Sequence, residues 1–277
     1  MTVEQILVLA IVQGLTEFLP VSSSGHLILV PAFTGWQDQG AITDVMVHVG
    51  SLFAVIAYFW RDCLRLAGGA WSLVRGRMTP DARQALLILL ATIPALAFGA
   101  VLELTGWGDA MRSVEVVAWN AIVFGVLLYV ADVAGRSTKV MEDMRLAPAL
   151  AIGFAQALAL VPGTSRSGAT MTAARFLGFR RDEAARFSFL LGIPAIAAAG
   201  LFKTLQVVSE GDAVPPDALW AAFFTFFSAI LAIAFLMALV KRTTFLVFVI
   251  YRLALGLLLF AMAYEWFPGV LPPLTRV

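Results

Sequence analysis

The chain has 277 residues, of which 61% are hydrophobic and 13% charged, and its mean hydropathy is +0.90. Soluble domains carry about 45–50% apolar and about 25% charged residues, so this composition excludes a cytosolic enzyme, a disordered protein and a disulfide scaffold, and leaves an integral membrane protein. Its 19 basic and 18 acidic side chains nearly cancel, and the single cysteine, Cys63, rules out an internal disulfide or a Cys-based zinc site.

No basic region precedes the first apolar run, so no removable signal peptide is expected. That first run, 3–34, is long and apolar but broken in its middle by Pro, Gly, Ser and a charge. Uninterrupted runs follow at 44–60, 84–104 and 116–134, each close to the ~20 residues a membrane helix needs. Segment 147–175 is broken like the first one, and ordinary runs return at 187–203, 217–240 and 247–266. The intervening 61–83 reads as a loop with five arginines, and 135–146, 175–186 and the stretch opening with Lys241 and Arg242 are basic as well. The 105–115 and 203–217 loops are poor in basic residues, so the positive-inside rule puts the basic loops in the cytoplasm and these two outside.

Parity then constrains the broken segments. Segment 147–175 begins and ends beside cytoplasmic loops and is too short for two spans of ~20 residues each, so it reads as a re-entrant hairpin entering from the cytoplasm. Segment 3–34 reads as its counterpart entering from outside, given an external N-terminus. The expected fold is therefore an all-α integral membrane protein of six transmembrane helices plus two re-entrant broken-helix hairpins. It forms a single membrane domain, 1–277, built as an inverted-topology repeat with halves at about 1–134 and 147–266. Ser22-Ser-Ser-Gly25 aligns with Ser165-Arg-Ser-Gly168 across the halves, each after a Pro and a Gln-containing helix. Broken helices of this kind meet near the midplane in inverted-repeat proteins.

The breaks hold the residues that carry chemistry. Ionisable groups at membrane depth are costly and mark function; here they are Glu17, His26 and Arg166, with Gln13 one helical turn before Glu17. Arg166 lies in a hydroxyl-rich turn with Ser165, Ser167 and Thr170. Backbone N–H groups at a helix start, hydroxyls and a guanidinium fork suit a phosphate. Glu17 with Gln13 offers oxygen donors for a hard divalent cation, His26 a proton donor or acceptor, and Ser23 a nucleophile once His26 or Glu17 takes its proton. His48 reads as a packed or interfacial histidine without a chemical role, and Trp60, Trp71 and Trp266 as interfacial anchors. The basic loops orient the chain and do not indicate a nucleic-acid site.

Gln13-Gly-Leu-Thr-Glu17-Phe-Leu-Pro-Val-Ser-Ser-Ser-Gly-His26 and Pro162-Gly-Thr-Ser-Arg-Ser-Gly-Ala-Thr170 resemble the two signatures of the bacterial undecaprenyl-diphosphate phosphatases of the bacitracin-resistance type. The resemblance implies hydrolysis of undecaprenyl diphosphate to the monophosphate and inorganic phosphate, recycling the lipid carrier for cell-wall synthesis and conferring tolerance to bacitracin. It also implies a divalent cation (magnesium, with calcium the alternative), a polyprenyl diphosphate substrate among membrane lipids, no nucleic acid, and a plasma-membrane location with the site opening to the external side. A homodimer is an open alternative for the assembly. Carried over by position, the functional residues are Gln13, Glu17, Ser23, His26, Ser165, Arg166, Ser167 and Thr170. The first acidic position of the family's Glu/Gln-x-x-x-Glu element is Gln13, which can coordinate a cation but cannot be a base. Ser23 paired with His26 is the favoured nucleophile, direct attack by His26 second and water third. A lipid or small-anion transporter or flippase on the same inverted repeat is the alternative function.

Overall fold

A computed structural model gives the fold and describes residues 1–37, 39–111, 113–209, 214–264 and 266. The first broken segment is the helix pair α1 (Val3–Phe18) and α2 (Ser23–Thr34). Helices α3 (Ala41–Tyr58), α4 (Trp60–Val74), α5 (Pro80–Thr105), the short α6 (Trp107–Ala110) and α7 (Val114–Ala134) complete the first half. The second half consists of α8 (Leu146–Leu158) and α9 (Arg166–Phe176), then α10 (Arg181–Ser209), α11 (Pro216–Val240) and α12 (Leu246–Ala263). Among the described residues no strand forms, and the protein is an all-α membrane protein. Five helices, α5, α7, α10, α11 and α12, are long and apolar enough to cross a bilayer, and the bent pair α3–α4 gives up to six when its two helices are counted as one span.

The hairpin helices are different. They run 16, 12, 13 and 11 residues, which at ~1.5 Å per residue is about 24 Å at most, short of the ~30 Å hydrocarbon layer. Their starts are set by local chemistry. Thr2 and Gln5 form a reciprocal capping box at α1, which satisfies two otherwise orphaned N–H groups. Ser22 and Ser165 cap α2 and α9. Each hairpin leans on the other half: α1 packs on α11 and α8 on α5, while α7 lies against α12 and α3 against α10. Close approach needs small residues at these seams. A Cβ on Gly14 would strike Ser228 of α11, and one on Gly153 would strike the Ala91 carbonyl of α5.

The expected loop at 61–83 contains α4, bent 89° from α3. Its arginines mask a helical period: Trp60, Leu64, Ala67, Trp71 and Val74 share one exposed face, while Gly69 is buried with no room for a Cβ beside the Asp81 backbone. Asp62 on α4 accepts two hydrogen bonds from Arg186 of α10, at 3.3 and 2.5 Å. Span 187–203 likewise starts earlier in the structure, at Arg181.

Three arginines, two of them wholly buried, hold the halves together. Arg175 and Arg181 both reach Asp132 near the end of α7, at 3.2 and 2.6 Å, and Asp132 also accepts the Phe245 N–H beside the start of α12. Arg252 of α12 is 0% exposed and donates to four carbonyls. Nε bonds Ala121 O at 3.1 Å and Nη1 bonds Pro20 O at 3.3 Å; Nη2 bonds Asn120 O and Gly163 O, both at 2.9 Å. Pro20 and Gly163 are the turns of the two hairpins, so one guanidinium satisfies both breaks. Gly163 has φ +86 and lies against the Val117 backbone, a place only glycine fills without strain. Ser167 adds a direct tie, donating to Leu19 O at 2.9 Å. Replacing Arg252 by Met is expected to cost about 3 kcal/mol or more, because several carbonyls lose a charged donor at once; a thermal melt in detergent reads it as a large fall in midpoint relative to wild type.

Candidate active site

The two breaks share one strained conformation. Among the described residues, Ser22 and Ser165 are the only non-glycine positions with positive φ, at +76° and +71°, a state that costs on the order of 1–3 kcal/mol and persists where surrounding contacts over-determine it. Each serine turns its hydroxyl onto the helix it caps, accepting from Gly25 N and Gly168 N respectively. The next residue is therefore placed at the first helical position of its hairpin: Ser23 on α2, Arg166 on α9.

Between them sits Glu17, in the last turn of α1 and 6% exposed. Phe18 beside it is locked edge-on against Phe189 of α10, with ring centroids 5.3 Å apart. Ser23 Oγ donates to Glu17 Oε2 at 2.7 Å and Gln13 Nε2 donates to the same oxygen at 3.0 Å. Arg166 Nη2 pairs with Glu17 Oε1 at 3.1 Å. A buried carboxylate with no counter-charge would be prohibitively costly, so the Arg166 pair is what permits Glu17 to be there. Arg166 is held further by Nη1 donating to Ser188 O at 3.3 Å, and Gly192 of α10 leaves the space that its guanidinium fills. Its Nε stays buried without a hydrogen-bond partner in the protein.

The structure thus brings Gln13, Glu17, Ser23 and Arg166 into one cluster. The other expected residues sit differently. Ser165 caps its helix, Ser167 ties to Leu19 O, and Thr170 bonds Arg166 O at 2.8 Å and the Ser188 hydroxyl at 2.6 Å. Their hydroxyls shape the loop that carries Arg166. His26 turns away from Ser23: Nδ1 bonds Ser22 O at 2.6 Å and Nε2 meets the Tyr251 hydroxyl at 2.5 Å, with the two rings stacked. Since a carbonyl only accepts, Nδ1 carries the proton and a neutral ring accepts from Tyr251 at Nε2.

His48, read from the sequence as a packing residue, is a neighbour of the carboxylate. Its Nε2 lies 3.6 Å from Glu17 Oε2, and its Nδ1 donates to Asp44 O at 2.6 Å. Ser188 and Gly192 of α10 and Tyr251 and Arg252 of α12 also lie outside the sequence motifs, on helices remote in sequence from the first hairpin, and no local pattern marks them. For a divalent cation the protein donors are few. Gln13 Oε1 is buried with no hydrogen-bond partner, Glu17 is the adjacent carboxylate, and among the described residues no group of three His, Cys, Asp or Glu could hold a metal. This donor set fits a cation that takes most of its oxygens from phosphate, as magnesium commonly does, rather than one caged by protein.

Residues 6–258 match the family described as bacitracin resistance protein BacA. The chain belongs to the BacA family. It is also similar along nearly its whole length to proteins named undecaprenyl-diphosphatase. The one from Jannaschia sp. (strain CCS1) is 47% identical, covering 95% of this chain and 100% of that protein. The one from Ruegeria pomeroyi is 48% identical over 96% of this chain and 100% of its own, and the one from Erythrobacter litoralis 49% over 94% and 99%. The strained caps and the Glu17–Arg166 pair lie within the stretch that matches the BacA family. Methylenediphosphonate, a diphosphate that cannot be hydrolysed, is expected to raise the melting midpoint of the wild-type protein and to leave that of Arg166→Ala unmoved; a thermal titration in detergent checks this.

Proposed function

We propose that this protein hydrolyses undecaprenyl diphosphate to undecaprenyl phosphate and inorganic phosphate in a bacterial plasma membrane, which recycles the lipid carrier for cell-wall synthesis and confers bacitracin tolerance. The observation that carries the mechanism is the Ser23 hydroxyl hydrogen-bonded to Glu17 beside the Arg166 guanidinium. Ser23 Oγ attacks the terminal phosphorus and its proton passes to Glu17 Oε2. The bond from that phosphorus to the bridging oxygen breaks, and undecaprenyl phosphate leaves. Water then cleaves the serine phosphate, releasing inorganic phosphate and restoring the hydroxyl.

Arg166 offsets phosphoryl charge through its free Nε, assisted by the N-termini of α2 and α9. His26 acts one step back, its Nδ1–H gripping the Ser22 carbonyl and so steadying the turn that presents Ser23. The 2.7 Å bond from Ser23 to Glu17 favours the carboxylate over His26 as proton acceptor. A divalent cation, magnesium or else calcium, would be held by Gln13 Oε1 and Glu17 together with the diphosphate, and it would neutralise phosphate charge. We take the repeats 1–134 and 147–266 to act as one membrane domain, a reading supported by the matching strained caps at Ser22 and Ser165 and by the Glu17–Arg166 pair that joins the two hairpins. A flippase remains the second reading, favoured by the paired hairpins; lipid movement in sealed vesicles without phosphate release would select it.

Phosphate release from farnesyl or undecaprenyl diphosphate with magnesium tests the activity. Ser23→Ala, Glu17→Gln and Arg166→Ala should each lose about 100-fold or more, the scale for removing a preorganised group from a charged transition state. Single-turnover trapping followed by mass spectrometry should place the phosphoryl group on Ser23, and a phosphohistidine at His26 would replace that assignment. We further propose that the site opens to the external side, with the basic segments cytoplasmic. In a Cys63→Ser background, Ser24→Cys should react with a membrane-impermeant thiol reagent from outside intact spheroplasts; labelling only after lysis would reverse the orientation.

A further inference from the structure

Five buried side-chain polar atoms among the described residues lack a hydrogen-bond partner in the protein: Gln13 Oε1, Gln156 Nε2, Gln156 Oε1, Thr164 Oγ1 and Arg166 Nε. All five belong to the two hairpins. Buried polar groups are almost always paired, so an unpaired one calls for a reason. The phosphatase reading uses Gln13 Oε1 and Arg166 Nε. It leaves the Thr164 hydroxyl and the whole amide of Gln156, which is 2% exposed with neither end bonded.

The repeat says where that amide stands. Ser22 and Ser165 are equivalent by their positive φ and matching caps. Gln13 precedes Ser22 by nine positions (22 − 13) and Gln156 precedes Ser165 by nine (165 − 156). Gln156 therefore stands to Arg166 as Gln13 stands to Ser23. The difference lies four residues on. Gln13 has Glu17 there and donates to it, whereas Gln156 has Leu160, an exposed apolar residue. Gln156 thus lacks the carboxylate that holds its counterpart. One turn earlier, Gly153 brings α8 against the Ala91 backbone of α5, a contact that fixes the height of Gln156 in the hairpin.

We propose that Gln156 binds substrate, its Nε2 donating to a non-bridging oxygen of the diphosphate that Arg166 holds. This inference rests on the phosphatase reading of the same site. A neutral amide adds a donor there without adding charge beside the Glu17–Arg166 pair, and its site in the second hairpin lets each half of the repeat contribute one glutamine: Gln13 toward cation and carboxylate, Gln156 toward phosphate.

The test compares wild type with Gln156→Met, close in length and apolar, and Gln156→Glu, equal in shape but accepting only. With farnesyl diphosphate and magnesium, Q156M should raise KM about tenfold or more, as expected for a lost hydrogen bond to a charged group, with kcat changed much less. Q156E should be worse, since a carboxylate then faces phosphate. The melting midpoint of Q156M should stay level or rise, because a buried amide with no protein partner is gone; a structural glutamine would give a lower midpoint and an unchanged KM, which overturns the proposal. If Q156M fails to fold, a wild-type KM in Q156E overturns it equally. If wild type itself releases no phosphate, the phosphatase reading fails, and the proposal is then read from binding alone. A methylenediphosphonate melting shift in Q156M equal to that of wild type overturns it, and a lost shift supports it.

Discussion

The structure depends on the cost of leaving backbone groups unpaired at membrane depth. A chain that breaks two helices inside a bilayer must supply donors for the freed carbonyls, because lipid offers none. Arg252 supplies them: one guanidinium, wholly buried, donates to Pro20 and Gly163 at the two breaks and to Asn120 and Ala121 on α7. Asn120 extends the same network by donating to Pro162 O at 2.8 Å. Five planar N–H groups on a fixed fork suit this task, and a lysine would bring fewer donors without the fork. The residue that makes the hairpins tolerable lies on α12, so neither hairpin is complete until α12 is in place.

With the breaks secured, a second dependence follows. Glu17, buried, belongs to the first hairpin, and Arg166, half-buried, to the second. Their contact at 3.1 Å couples assembly of the repeats to assembly of the site. Strain at Ser22 and Ser165 is maintained by the same contacts, and it directs Ser23 and Arg166 toward the shared carboxylate. The small residues at the seams belong to this scheme: Gly192 admits the guanidinium, and Gly14 and Gly153 let α1 and α8 approach the opposite half.

Much of this was legible in the linear chain. The apolar runs matched α3, α5, α7, α11 and α12 to within a few residues, because a ~20-residue hydrophobic requirement leaves little freedom, whereas α10 extends six residues beyond its run at each end. Both hairpins were visible as polar interruptions, and Gln13, Glu17, Ser23 and Arg166 were singled out there. Helix α4 was missed because a run of arginines looks like loop when charge is counted before period. His48 was dismissed because a histidine on an apolar helix has no local feature that separates packing from contact with a carboxylate thirty-one residues earlier. His26 was paired with Ser23 on helical spacing, yet the strained cap turns its ring to the Ser22 carbonyl and Tyr251.

By itself the sequence determined the solvent this protein lives in, its helical class, and the two places where polar chemistry interrupts the hydrocarbon, since each follows from residue type and local order. Only the tertiary structure decided the partners: that Ser23 faces Glu17 rather than His26, that His48 joins the carboxylate, that Arg252 pairs both breaks, and that Gln156 is left with an unspent amide. Those outcomes depend on contacts between residues from 4 to 232 positions apart, and hydrophobic periodicity specifies which face of a helix turns inward without specifying which side chain it will meet.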